Sequence, residues 1–387
     1  MYSSGAGGLS TYEADTLVVG GGIIGLTTAL ALVDRGESVT VLDPGHRQGI
    51  SSWAGGGILS PLFPWRQDGA VNALARRSQQ VYPELCRRLR ERAGVDPEMR
   101  GLGMVYADFP SKAPVDRERA RGWARDQGIE FQELEGEGLI DLEPELSPVA
   151  EYGLRLPGIA WLRNPRLMRG MSRLVNEAGA GLVDGATVLH LIQEGDAVRG
   201  VQTDRGSLRA QRVVVAAGPW SQELIRPLGI DLKVRPIKGA MLLLQSSRAL
   251  IGQLVMAGSH YLIPRADNRL LVGSTVDDAG FDSRTSLGSV RALAQAAVDM
   301  VPETANLELE DYWAGLRPSS PDDRPFIGRV PGIDGLYVNT GHSRNGVVHA
   351  PASAELLAAA MSHGAPDQKR HCPHPAGAPY SAHKSAG

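Results

Sequence analysis

A glycine-rich turn between a short apolar strand and a helix constrains the fold of this chain most strongly. The stretch TLVVG at residues 16–20 is predicted to be a buried strand, and it runs directly into GGGIIG at residues 20–25. In the pattern GxGxxG, the glycines permit a tight turn and let backbone N–H groups at a helix N-terminus approach a diphosphate. The order of strand, turn and helix therefore predicts a dinucleotide-binding unit.

An acidic residue follows at a spacing that suits such a unit. The helix is predicted to run through LTTALALVDRG with Gly36 as its C′ residue, and SVTVL at residues 38–42 reads as the second strand. Asp43 stands at the tip of that strand, 18 residues after Gly25. A carboxylate there can accept hydrogen bonds from ribose hydroxyls. The predicted fold class is therefore α/β with a Rossmann-like unit, although the motif alone does not separate FAD from NAD.

The segment at residues 186–216 favours FAD. ATVLHLIQ, AVRGVQT and LRAQRVVVA alternate or run apolar, and the turn sequences EGD and DRG separate them. This pattern predicts a β-meander that ends in VVVAAGPWS. NAD-binding domains usually continue instead as alternating β and α units. We therefore expect the turn at Ala217 and Gly218 to pass close to the cofactor.

Further helices are predicted from apolar periodicity. Residues 72–93 have a helical pattern that we expect to be interrupted at Pro83. A second helix is expected to have Asn164 as its N-cap and Pro165 at its first position, and to run through Ala178. Two more helices are predicted around residues 290–298 and from near Pro351 onward.

The composition excludes several classes of function. A net charge of −3 gives no indication of a polyanionic partner, since nucleic-acid binders usually carry a basic face, and no apolar run reaches the length that spans a membrane. The first thirteen residues lack the basic and apolar regions of a signal peptide, so we expect a cytoplasmic protein. The tail from His363 onward is expected to be disordered.

No metal site or disulfide is predicted. The two cysteines, Cys86 and Cys372, are far apart and form no CxxC pattern. The cluster His371, Cys372 and His374 lies in the tail, where a rigid ligand set is not expected.

Several blocks taken together resemble the D-amino-acid oxidase family of flavoenzymes. The stretch SSWAGGGILSP at residues 51–61 is most similar to the glycine oxidases that supply thiazole synthesis in thiamine biosynthesis. The resemblance covers nearly the whole chain apart from its two tails. Its blocks occur in the order VVGGGIIG, SSWAGGGILSP, VVVAAGPWS, PIKGAM, HYLIPR, WAGLRP and TGHSRNG.

This resemblance implies a non-covalently bound FAD and two domains, one that binds FAD and one rich in β-sheet that binds substrate. Since no cysteine lies between residues 87 and 371, a cysteine-linked flavin is not expected. The FAD-binding domain is predicted at residues 15–100, 151–230 and 311–363, the substrate domain at 101–150 and 231–310, and flexible tails at 1–14 and 364–387.

In the family, the segment matching residues 51–58 runs beside FAD, where its serines bind the cofactor and its glycines let the backbone lie against the isoalloxazine. The helix after TGHSRNG would direct its N-terminus at the flavin and stabilise the negative charge of the reduced ring. The implied cofactor-binding residues are Gly20, Gly22, Ile23, Ile24, Gly25, Asp43, Pro44, Ser51, Ser52, Gly56, Gly57, Ile58, Val188, Gly218, Trp220, Gly341, His342, Ser343, Arg344, Asn345, Gly346 and Val347.

Two residues match positions that hold the substrate carboxylate in the family. Arg317 in WAGLRP provides a fixed fork of donors that suits a carboxylate, and Tyr261 in HYLIPR would add a hydroxyl. All but five of the 40 basic residues are arginines, so Arg317 taken alone would more often be a surface ion-pair residue. Tyr261 taken alone would more often be a core residue of a strand.

A third residue, Arg344 in GHSRNG, matches a family arginine close to flavin and substrate. Here the chain departs from the family, because Ser343 stands where an aromatic residue is expected. That change predicts a wider cavity and puts strict selectivity for the smallest amine in doubt. His349 stands where the family is usually aliphatic, and we expect it to pack or form hydrogen bonds.

The implied reaction is oxidative deamination of glycine, and of small amines such as sarcosine or D-alanine, with hydride transfer to flavin N5. Oxygen is the expected acceptor, the products are glyoxylate, ammonia and hydrogen peroxide, and relatives imply a homotetramer. One alternative is a sister D-amino-acid, sarcosine or imino-acid oxidase, or a dehydrogenase that passes electrons to a quinone. Others are a flavin-binding protein without turnover and, more distantly, an NAD-dependent reductase.

Overall fold

A computed structural model describes residues 14–45 and 49–362 of the chain. Residues 1–13, 46–48 and 363–387 are outside it, as are the cluster at 371–374 and almost all of both predicted tails. The strands are β1 (Ala14–Val19), β2 (Val39–Asp43), β3 (Gly49–Ile50), β4 (Met104–Asp108), β5 (Gln132–Glu135), β6 (Tyr152–Leu156), β7 (Gly181–Asp184), β8 (Val188–Glu194), β9 (Ala197–Thr203), β10 (Gly206–Val215), β11 (Arg235–Gln245), β12 (Leu254–Ala257), β13 (His260–Pro264), β14 (Arg269–Gly273), β15 (Glu308–Ser319), β16 (Phe326–Arg329) and β17 (Leu336–Thr340).

Helices lie between several of these strands along the chain. They are α1 (Ile23–Val33), α2 (Ser51–Ala54), α3 (Gly69–Glu91), α4 (Arg117–Asp126), α5 (Glu137–Leu142), α6 (Asn164–Glu177), α7 (Ser221–Ile225), α8 (Leu287–Met300) and α9 (Gly346–Ser362). Short 3₁₀ turns occupy Pro64–Arg66, Gly218–Trp220, Arg226–Leu228 and Pro302–Asn306.

The first sheet is a Rossmann-like sheet with the order β16-β17-β10-β1-β2-β7. Strands β7, β2, β1, β10 and β17 are parallel, and β8 and β9 extend β10 as the predicted antiparallel meander. Helices α1, α3, α6 and α9 pack together over one face of this sheet. The other face packs against the meander and α7 through residues such as Leu17, Leu191 and Ile225. Both faces are therefore covered, which explains why β1 reads as a continuous apolar run.

The second sheet has the order β3-β15-β11-β14-β13-β12-β4-β6-β5. Side chains of a strand alternate between the two faces of a sheet. On one face, Leu242, Val255 and Leu262 pack against the apolar side of α8. The opposite face of β11, β13 and β15 presents Met241, Tyr261 and Arg317, which line a cavity. This sheet therefore forms one wall of the candidate site.

Three local predictions need correction. Helix α3 runs without interruption through Pro83, because buried side chains on both sides of it, including Tyr82 and Cys86, keep the helix packed. Asn164 does not cap α6, because its Oδ1, the atom that would accept from a helical N–H group, has no hydrogen-bond partner among the described residues. Its Nδ2 donates to the carbonyl oxygen of Ser52 at 2.8 Å. Helix α9 begins at Gly346 and contains Pro351 inside it.

The predicted domain ranges stay a prediction. Strand pairing places β6 and β15 in the second sheet, whereas the sequence predicts the FAD-binding domain for 151–230, which contains β6, and for 311–363, which contains most of β15. None of the helices in the described ranges is long and apolar enough to cross a membrane.

Candidate active site

A cavity of about 1260 Å³ lies where the carboxyl ends of β1, β2 and β10 meet the face of the second sheet that carries Tyr261 and Arg317. Ligands bind at this edge of open parallel sheets, because the loops there diverge and leave a crevice. Residues from Val19 to Ile24, Leu42 to Pro44 and Ala216 to Trp220 line its first part. Tyr261, Arg317 and the backbone of β15 line the part next to the second sheet.

The glycines of the first motif are fixed by close backbone contacts. Gly20 has a φ of +110°, and a Cβ added there would lie 2.5 Å from the carbonyl oxygen of Ala216. A Cβ added at Gly25 would lie 1.8 Å from the carbonyl oxygen of Gly20. Gly25 does not line the cavity. Its small size lets α1 pack closely against the turn, and this packing brings the N-terminus of α1 to the cavity.

The N-terminus of α1 fits the diphosphate of a dinucleotide. Gly22, at the N-cap, supplies no side-chain cap, and the Ile23 N–H donates to Ser52 Oγ at 3.0 Å. Unpaired N–H groups and the positive end of a helix favour an anion. Asp43 accepts from the N–H groups of Gly21 at 2.7 Å and Gly45 at 2.8 Å, so its carboxylate also fixes the turn around the cavity.

Helix α6 contributes cationic residues that the sequence analysis did not identify. Arg169 and Arg173 are exposed, line the cavity and lie one turn apart on the helix. Arg173 donates to the carbonyl oxygen of Ala93 at 3.5 Å. The apolar periodicity that predicts this helix also implies that these two arginines point away from the core. What the sequence did not reveal is that this polar face of α6 borders the cavity.

The three glycines at residues 55–57 line the cavity and also lie close to neighbouring segments of the chain. A Cβ added at Gly57, where φ is +79°, would lie 2.0 Å from the carbonyl oxygen of Leu162. A Cβ at Gly56 would lie 2.8 Å from Ile263 Cδ1 and 3.4 Å from the Tyr261 hydroxyl. The close approach that the glycine run predicts is therefore made, in part, to neighbouring protein segments.

Arg265 holds the backbone around these three glycines by hydrogen bonds. Its guanidinium donates to the carbonyl oxygens of Leu162 at 2.9 Å and Gly56 at 3.0 Å. Burial lowers its pKa to about 10, and the neighbouring Arg163 acts in the same direction. Arg265 belongs to the HYLIPR block, but its sequence context gave no indication of this role.

Arg317 is held by neutral acceptors. Nη1 donates to the carbonyl oxygens of Lys238 at 3.2 Å and Thr275 at 3.1 Å, and Nη2 donates to Ser274 Oγ at 2.8 Å. A guanidinium has five N–H groups, so one N–H on Nη2 and the N–H on Nε remain for another acceptor. Within the described residues, Arg317 forms no ion pair with a carboxylate.

The surroundings of Arg317 make it a strong anion site. Burial lowers the pKa of its guanidinium to about 10, and the positive charge of Arg344 acts in the same direction. The guanidinium nevertheless borders the cavity. Tyr261 and the charge of Asp277 act on this pKa in the opposite direction, but Asp277 forms no ion pair with Arg317. The buried guanidinium therefore still gains from a bidentate carboxylate, because the two parallel hydrogen bonds are charge-assisted.

Tyr261 lies in the same wall as Arg317. It is only 5% exposed, and its hydroxyl donates to Met241 Sδ at 3.5 Å, a weak hydrogen bond. The register pairs Tyr261 with Gly273, where a Cβ would lie 2.5 Å from the tyrosine ring. The glycine therefore leaves room for the ring to stand in the wall, with its hydroxyl beside the cavity.

The GHSRNG turn closes the cavity from the side of α9. Arg344 is exposed, lines the cavity and makes no hydrogen bond or ion pair with any residue in the described parts of the chain. Ser343 has a φ of +50°, and its Oγ accepts from the Ser320 N–H at 3.3 Å. The small hydroxyl is thus directed toward a backbone amide.

A buried pair of histidines lies behind this turn. The Nδ1 atoms of His342 and His349 are 3.4 Å apart, and His342 Nε2 lies 2.9 Å from Asn339 Oδ1. Burial lowers the pKa of His349 to about 3 and that of His342 well below its usual range, so both rings are neutral. His349 is thus a buried core residue whose Nδ1 lies within hydrogen-bond distance of His342, while its Nε2 has no partner among the described residues. This fits the packing or hydrogen-bonding role that the sequence predicts.

Most of the predicted site residues border this one cavity. Trp220 stacks on Phe281, with 5.7 Å between the ring centroids, at its edge. Gly25, Gly341 and Asn345 are not part of the lining. Among the described residues, no group of three or more histidine, cysteine or acidic side chains could hold a metal ion. The predicted residues in the lining are Tyr261, Arg317, Arg344, Gly20, Gly22, Ile23, Ile24, Asp43, Pro44, Ser51, Ser52, Gly56, Gly57, Ile58, Val188, Gly218, Trp220, His342, Ser343, Gly346 and Val347.

Comparisons with known proteins agree with this geometry. Residues 15–360 match the family model described as DAO, FAD dependent oxidoreductase. Glycine oxidase from Pseudomonas aeruginosa is 42% identical over 347 residues, which cover 89% of this chain and 94% of that protein. The bifunctional protein ThiO/ThiG of Nostoc is 31% identical over 89% of this chain but only 52% of its own length.

The same fold occurs in a solved structure. The crystal structure of glycine oxidase from Geobacillus kaustophilus matches with a TM-score of 0.87 and 29% identity. The match covers 91% of this chain and 95% of that structure. The similarity therefore extends over both sheets and the cavity between them.

Proposed function

The chain belongs to the DAO family of FAD-dependent oxidoreductases, and from that premise we propose that it oxidises the amino group of glycine. The products would be glyoxylate, ammonia and hydrogen peroxide. The observation that carries the proposal is the guanidinium of Arg317, which has two unused N–H groups beside Tyr261 in the cavity that the N-terminus of α1 faces. This arrangement suits a small amino acid held by its carboxylate.

The chain's own residues would bind and orient the substrate. Arg317 would take the carboxylate side-on, and Tyr261 would donate a further hydrogen bond. Gly56 and Tyr261 lie so close together that they would restrict the volume at the α-carbon. Holding the carboxylate in this way fixes the position of the α-carbon, and such orientation lowers the barrier of the chemical step.

FAD, when bound, supplies the acceptor for a hydride from the α-carbon of the substrate. The donors at the N-terminus of α1 would hold its diphosphate, Asp43 its ribose and residues 51–58 its ring system. If the amine binds in its deprotonated form, no side-chain base is required. The acidic residues in the lining are Asp43, at the end of β2, and Glu223, on α7.

The proposed product connects the reaction to a larger sequence of reactions. The ThiO/ThiG relative carries a counterpart of this chain and a second part of similar length. We propose that the imine formed from glycine feeds thiazole synthesis for thiamine. Oxygen would accept the electrons, and the absence of peroxide in aerated turnover would indicate a dehydrogenase instead.

Anaerobic mixing of the purified flavoprotein with glycine tests the function. Bleaching of the oxidised flavin band, followed by recovery and peroxide formation in air, is the expected result. Arg317→Ala should raise the KM for glycine at least tenfold while FAD stays bound, and Arg317→Lys should recover only part of this loss. If no amine bleaches the flavin, the chain is a flavin-binding protein without turnover.

A sister oxidase activity is the second candidate, and Ser343 favours it. The space beside Arg344 would admit sarcosine or D-alanine. Bleaching by one of these amines but not by glycine would move the assignment to that activity. Arg317 would keep its proposed role in either case, because all of these substrates carry a carboxylate.

A further inference from the structure

We propose that Asp277 is a positioning residue for Arg317 and acts from outside the cavity. It holds in place the two carbonyl groups to which Nη1 of Arg317 donates, and its negative charge moderates the affinity of the cavity for carboxylates. Because the substrate carboxylate is taken to bind Arg317, this role rests on the proposed function.

The backbone of Asp277, which follows β14, pairs with that of Lys238 on β11. The Asp277 N–H donates to the Lys238 carbonyl oxygen at 2.9 Å, and the Lys238 N–H donates to the Asp277 carbonyl oxygen at 2.9 Å. The Lys238 oxygen that accepts from Asp277 also accepts from Nη1 of Arg317 at 3.2 Å. A displacement of Asp277 would therefore shift the first of the two acceptors of Arg317.

The carboxylate of Asp277 holds the second acceptor. Its Oδ2 accepts from the Thr275 hydroxyl at 2.8 Å, and Thr275 Oγ1 in turn accepts from the Ala240 N–H at 3.0 Å. The carbonyl oxygen of the same threonine accepts from Nη1 of Arg317 at 3.1 Å. Since its hydroxyl is bonded as a donor and as an acceptor, Thr275 is fixed relative to β11, and so is its carbonyl oxygen.

The charge of Asp277 acts on Arg317 without occupying its free donors. Neither Thr275 nor Asp277 is part of the cavity lining, whereas Ser274 and Arg317 are. Within residues 14–45 and 49–362, the half-buried Asp277 carboxylate forms no ion pair with a basic side chain. Burial is the main cause that lowers the pKa of Arg317, and the charge of Asp277 raises that pKa. Asp277 is therefore close enough to offset part of the positive charge that a ligand meets.

Loss of this charge has a definite sign. In Asp277→Asn, the amide oxygen can still accept from Thr275, so the hydrogen bond is kept while one negative charge is removed. A second cation lies close by, because the ammonium of Lys238 is buried and donates only to the Arg284 carbonyl oxygen, at 3.2 Å, among the described residues. With Asp277 neutral, both cations attract a carboxylate more strongly. The charge and the hydrogen bond of Asp277 can therefore be separated, since the first weakens carboxylate binding and the second supports it.

Binding of an inert carboxylate tests the effect of the charge without turnover. Methoxyacetate carries one carboxylate and has an ether oxygen in place of the amine. In the holoenzyme, titration followed by the flavin spectrum should give a Kd about threefold or more lower in Asp277→Asn than in the wild-type protein at low salt, and added salt should reduce the difference.

Asp278→Asn is the matched control for this titration. It removes the same charge one residue further along, from an exposed side chain that pairs with Arg235. Such surface pairs contribute little, so its Kd for methoxyacetate should stay within about twofold of the wild-type value. Equal Kd values for Asp277→Asn and Asp278→Asn would overturn the proposal.

Two variants of Thr275 test the positioning role. Thr275→Val keeps the shape of the side chain but removes the hydroxyl through which Asp277 holds the carbonyl group. The Kd for methoxyacetate should rise about fivefold or more, and Thr275→Ser, which keeps the hydroxyl, should bring it back to within about twofold of the wild-type value. The Kd for FAD should be the same in all three proteins, because only a general loss of structure would raise it. A loss of methoxyacetate affinity that serine does not rescue would contradict the role of Asp277 through Thr275.

The same variants separate this role from the proposed function. Oxidation of glycine by the wild-type protein, with equal methoxyacetate affinity in Asp277→Asn and Asp278→Asn, would overturn the role of Asp277 and leave the function intact. Failure of every amine to bleach the flavin, with tighter methoxyacetate binding in Asp277→Asn and rescue by Thr275→Ser, would overturn the function and support the role of Asp277 at the carboxylate site.

Discussion

The guanidinium of Arg317 lies directly over Gly239 of the neighbouring strand. A Cβ added at Gly239 would lie 1.9 Å from Nη2 and 2.3 Å from Cζ of Arg317. In the register of β11 and β15, Gly239 pairs with Gly315 and Arg317 with Ile237. The arginine thus crosses the adjacent strand at the one residue without a side chain, and this places its free edge at the cavity.

Gly239→Ala should therefore displace Arg317 without removing it. We expect the affinity for methoxyacetate, an inert monocarboxylate that resembles glycine, and the kcat/KM for glycine to fall at least tenfold, because the added methyl group occupies the position of the guanidinium. Titration of the holoenzyme with methoxyacetate, followed by the flavin spectrum, measures the first effect, and steady-state kinetics with glycine measure the second. Gly122→Ala in α4, where an added Cβ meets nothing within 4 Å, is the matched control. If Gly239→Ala bound methoxyacetate as tightly as the wild-type protein, the observed position of Arg317 would not be required for carboxylate binding.

Gly57→Ala is expected to lower the free energy of unfolding by on the order of 2 kcal/mol or more. The substitution puts an L-residue in the left-handed region and a methyl group 2.0 Å from a rigid carbonyl oxygen. Gly55→Ala, at a φ of −70° and with its nearest contact at 3.0 Å, should cost less. Urea unfolding in excess FAD compares the two variants. If the two variants lost the same free energy of unfolding, the close contact between Gly57 and the Leu162 carbonyl oxygen would not explain the loss.

The buried histidines predict a loss of stability in acid. Since burial lowers the pKa of His349 to about 3, the fold prefers its neutral form. This contribution is fully present above the unfolded pKa of about 6.5 and is lost as the pH falls below it, by about 1.4 kcal/mol per pH unit. His342 acts in the same direction.

His349→Leu should reduce that dependence on pH. Unfolding free energies measured at pH 7.5 and 5.0, in excess FAD, should differ less in the variant than in the wild-type protein. Leucine is also of the aliphatic type expected at this position, which limits the disturbance of packing. Parallel pH profiles for the two proteins would contradict a neutral, buried His349.

Arg169 and Arg173 are expected to contribute to FAD affinity through charge. Both are exposed on α6 and line the cavity, whose first part fits a diphosphate. The double variant Arg169→Met, Arg173→Met should raise the Kd for FAD about tenfold at low salt, and the difference should shrink as salt screens the charges. Flavin fluorescence during reconstitution of the apoprotein measures this. A salt-independent difference would indicate a change in structure instead.

Much of the first sheet could be predicted because its determinants are local. The apolar run of β1, the glycine turn, α1 and Asp43 follow one another within 30 residues, and the meander β8–β10 is equally compact in sequence. Periodicity and turn residues specify such elements directly. The same approach failed at Pro83, because the packing of α3 on both sides of the proline outweighs its local cost.

The sequence by itself determined the α/β class, the dinucleotide motif and the residue types that suit a carboxylate ligand. Only the tertiary structure decided which of those residues meet. Gly239 and Arg317 are 78 positions apart, and Gly57 meets Leu162 across a still longer stretch of chain. Such contacts depend on strand register and on the packing of two sheets, which no local pattern encodes. The hydrogen bonds of Arg265 to Leu162 and Gly56, and the position of the polar face of α6 beside the cavity, depend on the tertiary structure for the same reason.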